Sequence, residues 1–211
     1  MSRGLALALL LAASLFALAA DDQPVQAPYI EVGDCWSYRG ENIQNRGPIE
    51  NYEMCVTFID AQKDVIAAVA TVKSDGREID VTYSSKLAVY RSLTGLTTPQ
   101  GINFYRFPLR VGDKYSHEYE FREALRGPNQ GKVTWNMTVV GWQDVTVPAG
   151  KFRALKLEAQ GTIHRYDLGP RTYPATVGVW YAPEVNRHVK IHSWFPDRQS
   201  GEELVAYKLN K

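Results

Sequence analysis

Val133-Thr134-Trp135-Asn136-Met137-Thr138-Val139 decides the fold: every second side chain is apolar, and every one between is polar. A period of two places Val133, Trp135, Met137 and Val139 on one face of an extended chain and the polar residues on the other. That is the pattern of a strand with one buried face. The same alternation recurs further along. Leu155, Leu157 and Ala159 interleave with Ala154, Lys156 and Glu158, and Val177, Val179 and Tyr181 interleave with Gly178 and Trp180. Residues 64–72 are apolar on both faces, and a short buried helix would also fit. Their β-branched content and the following Asp75-Gly76 turn favour a central strand.

Turn sequences punctuate these runs: Gly127 to Gly131, Pro148-Ala149-Gly150, Leu168-Gly169-Pro170, Pro183 to Asn186 and Pro196 to Gly201. Strands separated by such turns predict an all-β fold: an antiparallel curved sheet, a half-open barrel or a sandwich of two similar meanders. A short helix is allowed only within 85–105. The two meanders are suggested by an internal echo. Val32-Gly33-Asp34-Cys35-Trp36-Ser37 resembles Val111-Gly112-Asp113-Lys114-Tyr115-Ser116, and Tyr52-Glu53-Met54-Cys55-Val56 resembles Trp135-Asn136-Met137-Thr138-Val139. The expected organisation is one β domain over 32–211, with halves 32–85 and 111–209 joined by 86–110, behind a flexible segment 20–31.

Residues 1–19 read as a secretory signal peptide. Arg3 supplies the positive start, Leu5 to Leu18 the apolar core, and Ala17-Leu18-Ala19 the small-x-small cleavage form. The core is shorter than the roughly 20 residues a membrane span needs, and no later stretch reaches that length. The chain has 24 Lys and Arg against 23 Asp and Glu. Removing the leader removes Arg3 and balances them, which argues against a nucleic-acid partner. The expected location is the periplasm or the exterior. There, an even pair of cysteines predicts a disulfide. With residues 34–39 and 51–59 as hairpin arms around Asn45, Cys35 falls opposite Cys55, within reach of a bridge.

Val145-Thr146-Val147-Pro148-Ala149-Gly150-Lys151-Phe152 resembles a motif of bacterial exported proteins of unknown function, the TapB-like and related domains. Phe107-Pro108-Leu109-Arg110-Val111-Gly112, Trp180-Tyr181-Ala182-Pro183-Glu184-Val185 and Glu203-Leu204-Val205-Ala206-Tyr207 are similar to further pieces of that family. The resemblance covers residues 32 to 209. It implies an antiparallel β fold outside the cytoplasm, and it lends no catalytic residue. By fold analogy, such domains are similar to half-open barrels that carry acyl chains.

Signatures of common catalysis are missing: no Gly-x-Ser-x-Gly elbow, no His-Glu-x-x-His, no phosphate or dinucleotide loop. No catalytic residue, metal site or cofactor is therefore assigned. His188 and His192 are four apart on a strand, about 13 Å, too far to share one metal ion. With Lys190 and Trp194 they would form one strip for an anionic headgroup or sugar; the plainer reading is a solvated outer face. His117 between Tyr115 and Tyr119 would line a pocket, or sit hydrogen-bonded in the core. Glu118 and Glu120 fall on the opposite face. The ligand-binding candidates are thus Tyr115, His117, Tyr119, His188, Lys190, His192 and Trp194.

Abundant aromatics favour an exported domain that binds an apolar or amphipathic ligand, such as a lipid, without catalysis. The alternatives are an envelope module docking a protein or glycan, and an enzyme acting on envelope polymers.

Overall fold

The computed structural model describes residues 23–42, 51–123, 129–166, 171–196 and 198–210. The signal-peptide reading and the hairpin tip at Asn45 lie outside these residues. Twelve antiparallel strands follow in chain order: β1 (Cys35–Asn42), β2 (Asn51–Asp60), β3 (Val65–Val72), β4 (Glu78–Tyr83), β5 (Val89–Arg91), β6 (Leu96–Ile102), β7 (Lys114–Glu123), β8 (Asn129–Val147), β9 (Gly150–Arg165), β10 (Arg171–Ala182), β11 (Arg187–Phe195) and β12 (Arg198–Lys208). Each pairs with its sequence neighbours, and β12 returns to pair with β1, so the sheet closes into a barrel. Closure refines the half-open and sandwich alternatives. It also removes the two free edges that an open sheet would present to other chains.

Six breaks in register among the described residues help the sheet curl, at Ser37/Tyr38, Val56/Phe58, Thr82/Tyr83, Val89/Arg91, Val139/Gly141 and Trp180/Tyr181. Such bulges add twist locally. The helix allowed within 85–105 is replaced by β5 and β6, so the joining segment supplies barrel wall. The only helical element among the described residues is one 3-10 turn, Pro183–Val185, stopped by Asn186 in the left-handed region.

The alternating runs point inward as their sequence requires. Trp36, Met137, Val139, Leu155, Leu157, Val179 and Leu204 are all buried in one connected core. Small and large side chains interlock across it. Ala70 is in register with Met54, which is in register with Trp36. The small residues of β3 thus admit bulky neighbours. Outside, the wall carries ion pairs such as Lys132–Glu118, Lys190–Glu203 and Lys156–Glu158. The interior is mostly apolar, with a few buried polar residues such as Asp34, Arg187 and His188.

The sequence echo has a structural counterpart. Gly33 and Gly112 both take positive φ, 91° and 88°, where glycine is favoured. Asp34 and Asp113 each accept a hydrogen bond from the backbone N–H three residues earlier. Each turn then exchanges backbone bonds with the matching strand, Gly33 and Asp34 with Val56, and Gly112 and Asp113 with Val139. The Cys35–Cys55 disulfide forms as the register predicts, with the two residues directly opposite across β1 and β2. Of the 20–31 stretch, expected as a flexible lead-in, residues 23–31 lie against the barrel. Val25 exchanges backbone hydrogen bonds with Leu109, and Ile30 is buried.

Candidate functional site

Three places concentrate chemistry. The first is the seam between β6 and β7, which pair only through Leu96↔Glu123 and Thr97↔Arg122. Beyond those two pairs, side chains of β7 replace the ladder. His117 Nε2 sits 2.8 Å from the Gly101 carbonyl, and the Tyr115 hydroxyl donates to the Phe104 carbonyl at 2.7 Å. Tyr115, His117, Tyr119 and Phe121 therefore share the inward face, as the period-two pattern requires. His117 packs on Tyr119 at 5.6 Å between ring centroids. Burial is the main cause that pushes the Tyr119 phenol up to about 12. At the end of this row Phe121 lines a cavity of about 470 Å³, together with Tyr90, Pro99 and Tyr166, and with Arg122 and Glu120 among its polar walls. Glu118 points the other way, 2.6 Å from Lys132, so it shares no site with His117.

A second cluster lies inside the barrel around Arg187. Its guanidinium sits over the rings of Trp36 and Tyr83, at 5.0 and 4.9 Å. Cation–π attraction is strong where water is excluded. The Tyr38 hydroxyl donates to the His188 carbonyl and its ring stacks on His188 at 4.8 Å. Tyr52 donates to Glu202 at 2.7 Å, and His188 Nε2 lies 2.6 Å from the other oxygen of that carboxylate. Burial pushes Glu202 upward. His188, the Tyr52 hydroxyl and Arg187 together outweigh it and hold the carboxyl below its usual range. The phenols of Tyr52, Tyr83 and Tyr105 are raised by burial, so they stay neutral.

The third place is the outer face of β9 to β11. Here the expected strip is corrected. The bulge at Trp180/Tyr181 pairs His188 with Tyr181 but Lys190 with Trp180. His188 is thereby turned into the interior cluster, while Lys190, His192 and Trp194 stay outside. The Lys190 ammonium donates to Glu203, and His192 stacks on Trp194 at 3.9 Å. A groove of about 230 Å³ runs beside them, lined by Lys156, Glu158, Thr176, Gly178 and Trp194.

Sequence reading missed Arg187, Glu202, Tyr90 and Tyr166. One signal was present: in a strand, consecutive Glu202 and Glu203 must face opposite ways, so one of them points inward. Nothing local marked Tyr166, and Tyr90 stood out only as one of the aromatics of the joining segment; the two meet only through the barrel. Among the described residues, no group of three or more His, Cys, Asp or Glu is placed to hold a metal ion, and no helix is long and apolar enough to cross a membrane.

No family profile matches the chain, and no curated protein matches it. Solved structures do. A candidate exported protein with YmcC-like fold from Bacteroides fragilis aligns over 88% of this chain and 100% of its own, at 16% identity and TM-score 0.60. A candidate lipoprotein from Parabacteroides distasonis aligns over the same shares at 14% identity and TM-score 0.59. The hypothetical lipoprotein YmcC from Escherichia coli K12 aligns over 96% and 95% at 12% identity and TM-score 0.44. At these identities the first two likenesses establish a shared fold, the YmcC-like β architecture.

Proposed function

We propose that this chain is an exported barrel that binds an amphipathic small molecule, without catalysis, at the end of the β6–β7 seam. The observation that carries the reading is the 470 Å³ cavity at Phe121. Its size falls in the ordinary range for small-molecule sites. Tyr90, Pro99, Phe121 and Tyr166 offer apolar area, and Arg122 and Glu120 offer a donor and an acceptor for a polar headgroup. The thin β6–β7 pairing gives a route past the wall, because side chains part more easily than a hydrogen-bonded ladder. The barrel interior is otherwise filled by large aromatics such as Trp36, Tyr38, Tyr83 and Tyr181. The ligand therefore belongs at this cavity and not on a long concave face. The Tyr115–His117–Tyr119 row carries the seam behind it.

The leader-like first 19 residues and the disulfide support a location in the periplasm or outside the cell. The two structural relatives, described as an exported protein and a lipoprotein, fit the same compartment. The test is a titration with dodecanoate followed by amide NMR. Saturable shifts at Tyr90, Phe121 and Tyr166, lost in Phe121→Ala, support the site. A folded protein with no saturable shift in these residues refutes it.

A further inference from the structure

Among the described residues, no carboxylate forms an ion pair with Arg187, although the residue is only 8% exposed. Its guanidinium lies over the rings of Trp36 and Tyr83, both fully buried. Ring faces attract the charge but offer its N–H groups no lone pair. Arg187 Nε and Nη1 have no hydrogen-bond partner, and neither has the Tyr83 hydroxyl. Orphaned polar groups are rare in a protein interior, because each one loses its hydration for nothing. We infer that Arg187 and Tyr83 bind one small monovalent anion, of the halide kind, inside the barrel and apart from the cavity at Phe121.

The donors set the occupant's chemistry. A guanidinium N–H can only donate, and the Tyr83 phenol, raised by burial, keeps a proton that it can donate as well. Three such donors suit an acceptor that brings no hydrogens of its own. The titratable groups that interact most strongly with Arg187 are the phenols of Tyr83, Tyr38, Tyr52 and Tyr105. The carboxylates of the neighbourhood are engaged elsewhere. Glu202 is held by His188 and Tyr52, and Asp34 accepts from the backbone N–H groups of Glu31 and Asn210. One cation matches one negative charge, so a divalent ion would bury a second charge without a counterpart. Tyr38 and Tyr181 are fully buried beside the site, and this crowding suits an ion of a few atoms rather than an acyl chain.

The ion's way in runs beneath the segment before β1. A groove of about 310 Å³ lies between residues 23–29 and the side chains of Tyr181, Pro183 and Asn186. Tyr181 lines this groove and also feels the Arg187 charge. Asn186, next to Arg187 in the chain, fastens the segment by donating from Nδ2 to the Tyr29 carbonyl at 2.7 Å.

The test is bromide. Calorimetric melts are recorded as sodium bromide replaces sodium gluconate at constant ionic strength. The melting temperature should rise saturably with bromide, because an ion held only by the folded protein stabilises it. Tyr83→Phe keeps the ring and removes the hydroxyl, so half-saturation should move to about tenfold higher bromide. Arg187→Met removes the charge and should abolish the response. Far-UV spectra establish that each variant is folded; if Arg187→Met is not, Tyr83→Phe decides. Phe121→Ala should respond as the parent does, which separates this site from the cavity. Anomalous scattering from bromide-soaked crystals should place one ion against Arg187 and the Tyr83 hydroxyl. The proposal is overturned if bromide stabilises no more than gluconate, if folded Tyr83→Phe responds as the parent does, or if the bromide ions lie only on the surface.

Discussion

Replacing both cysteines by serine should lower stability by about 3 kcal/mol. The bridge joins residues 20 apart, and in the chain-entropy account a loop of that size restricts the unfolded chain by about this amount. Native packing adds little to the loss. Cys55 lies on the face of Glu53, opposite the buried Met54, so serine hydroxyls there can reach water. β1 is also the strand that closes the barrel against β12, so loosening its hairpin is felt at the closure. For a domain of this size, 3 kcal/mol corresponds to roughly 6–12 °C in melting temperature. Calorimetry with and without reductant reads it directly. Either single variant should lose as much as the double, because one bond is broken in each. Reductant should lower the melting temperature of the parent and leave the variants unchanged. A loss below about 1 kcal/mol, or single losses that add, would refute the entropic reasoning.

Two further perturbations probe the interior. The Glu202 carboxyl is held below its ordinary value of 4.5, so its contribution to stability is complete above that pH and disappears as pH falls through the lower folded value. Glu202→Gln should therefore cost about 1–3 kcal/mol near neutrality and progressively less in acid, read by denaturant melts across pH. A difference that is the same at pH 7 and pH 3 would contradict the assignment. Gly161→Ala should cost about 2–4 kcal/mol, because a Cβ there falls on the Thr134 carbonyl and the Trp135 ring. A variant melting with the parent would mean that β8 and β9 are not packed as closely as described.

The long strands were legible because alternation is local. Val133 to Val139 and Leu155 to Ala159 state their buried faces in seven and five residues. The disulfide was legible for a related reason: hairpin register is fixed by counting from the turn. Barrel closure was not, since it rests on pairing Cys35 with Lys208, which no window of sequence contains. β5 and β6 were hidden by brevity and composition. β6 carries Pro99 and Gly101, which read as loop, and Pro99 is tolerated because the β7 ladder has already ended at Thr97. The strip of His188, Lys190, His192 and Trp194 failed at one position for an equally physical reason. A strict period of two cannot anticipate a bulge, and one extra residue at Val189 sends His188 inward. Tyr115, His117 and Tyr119 share one face of β7, as alternation predicts, and the hydrogen bonds from Tyr115 and His117 to the Phe104 and Gly101 carbonyls depend on where β6 ends.

The most direct measurement of the binding claim is an amide chemical-shift map of the folded, disulfide-intact protein titrated with dodecanoate. The account predicts one saturable set of shifts centred on Tyr90, Phe121, Arg122 and Tyr166, around the cavity at the β6–β7 seam. Shifts that never saturate, or that gather elsewhere on the barrel and leave Phe121 unmoved, would contradict it.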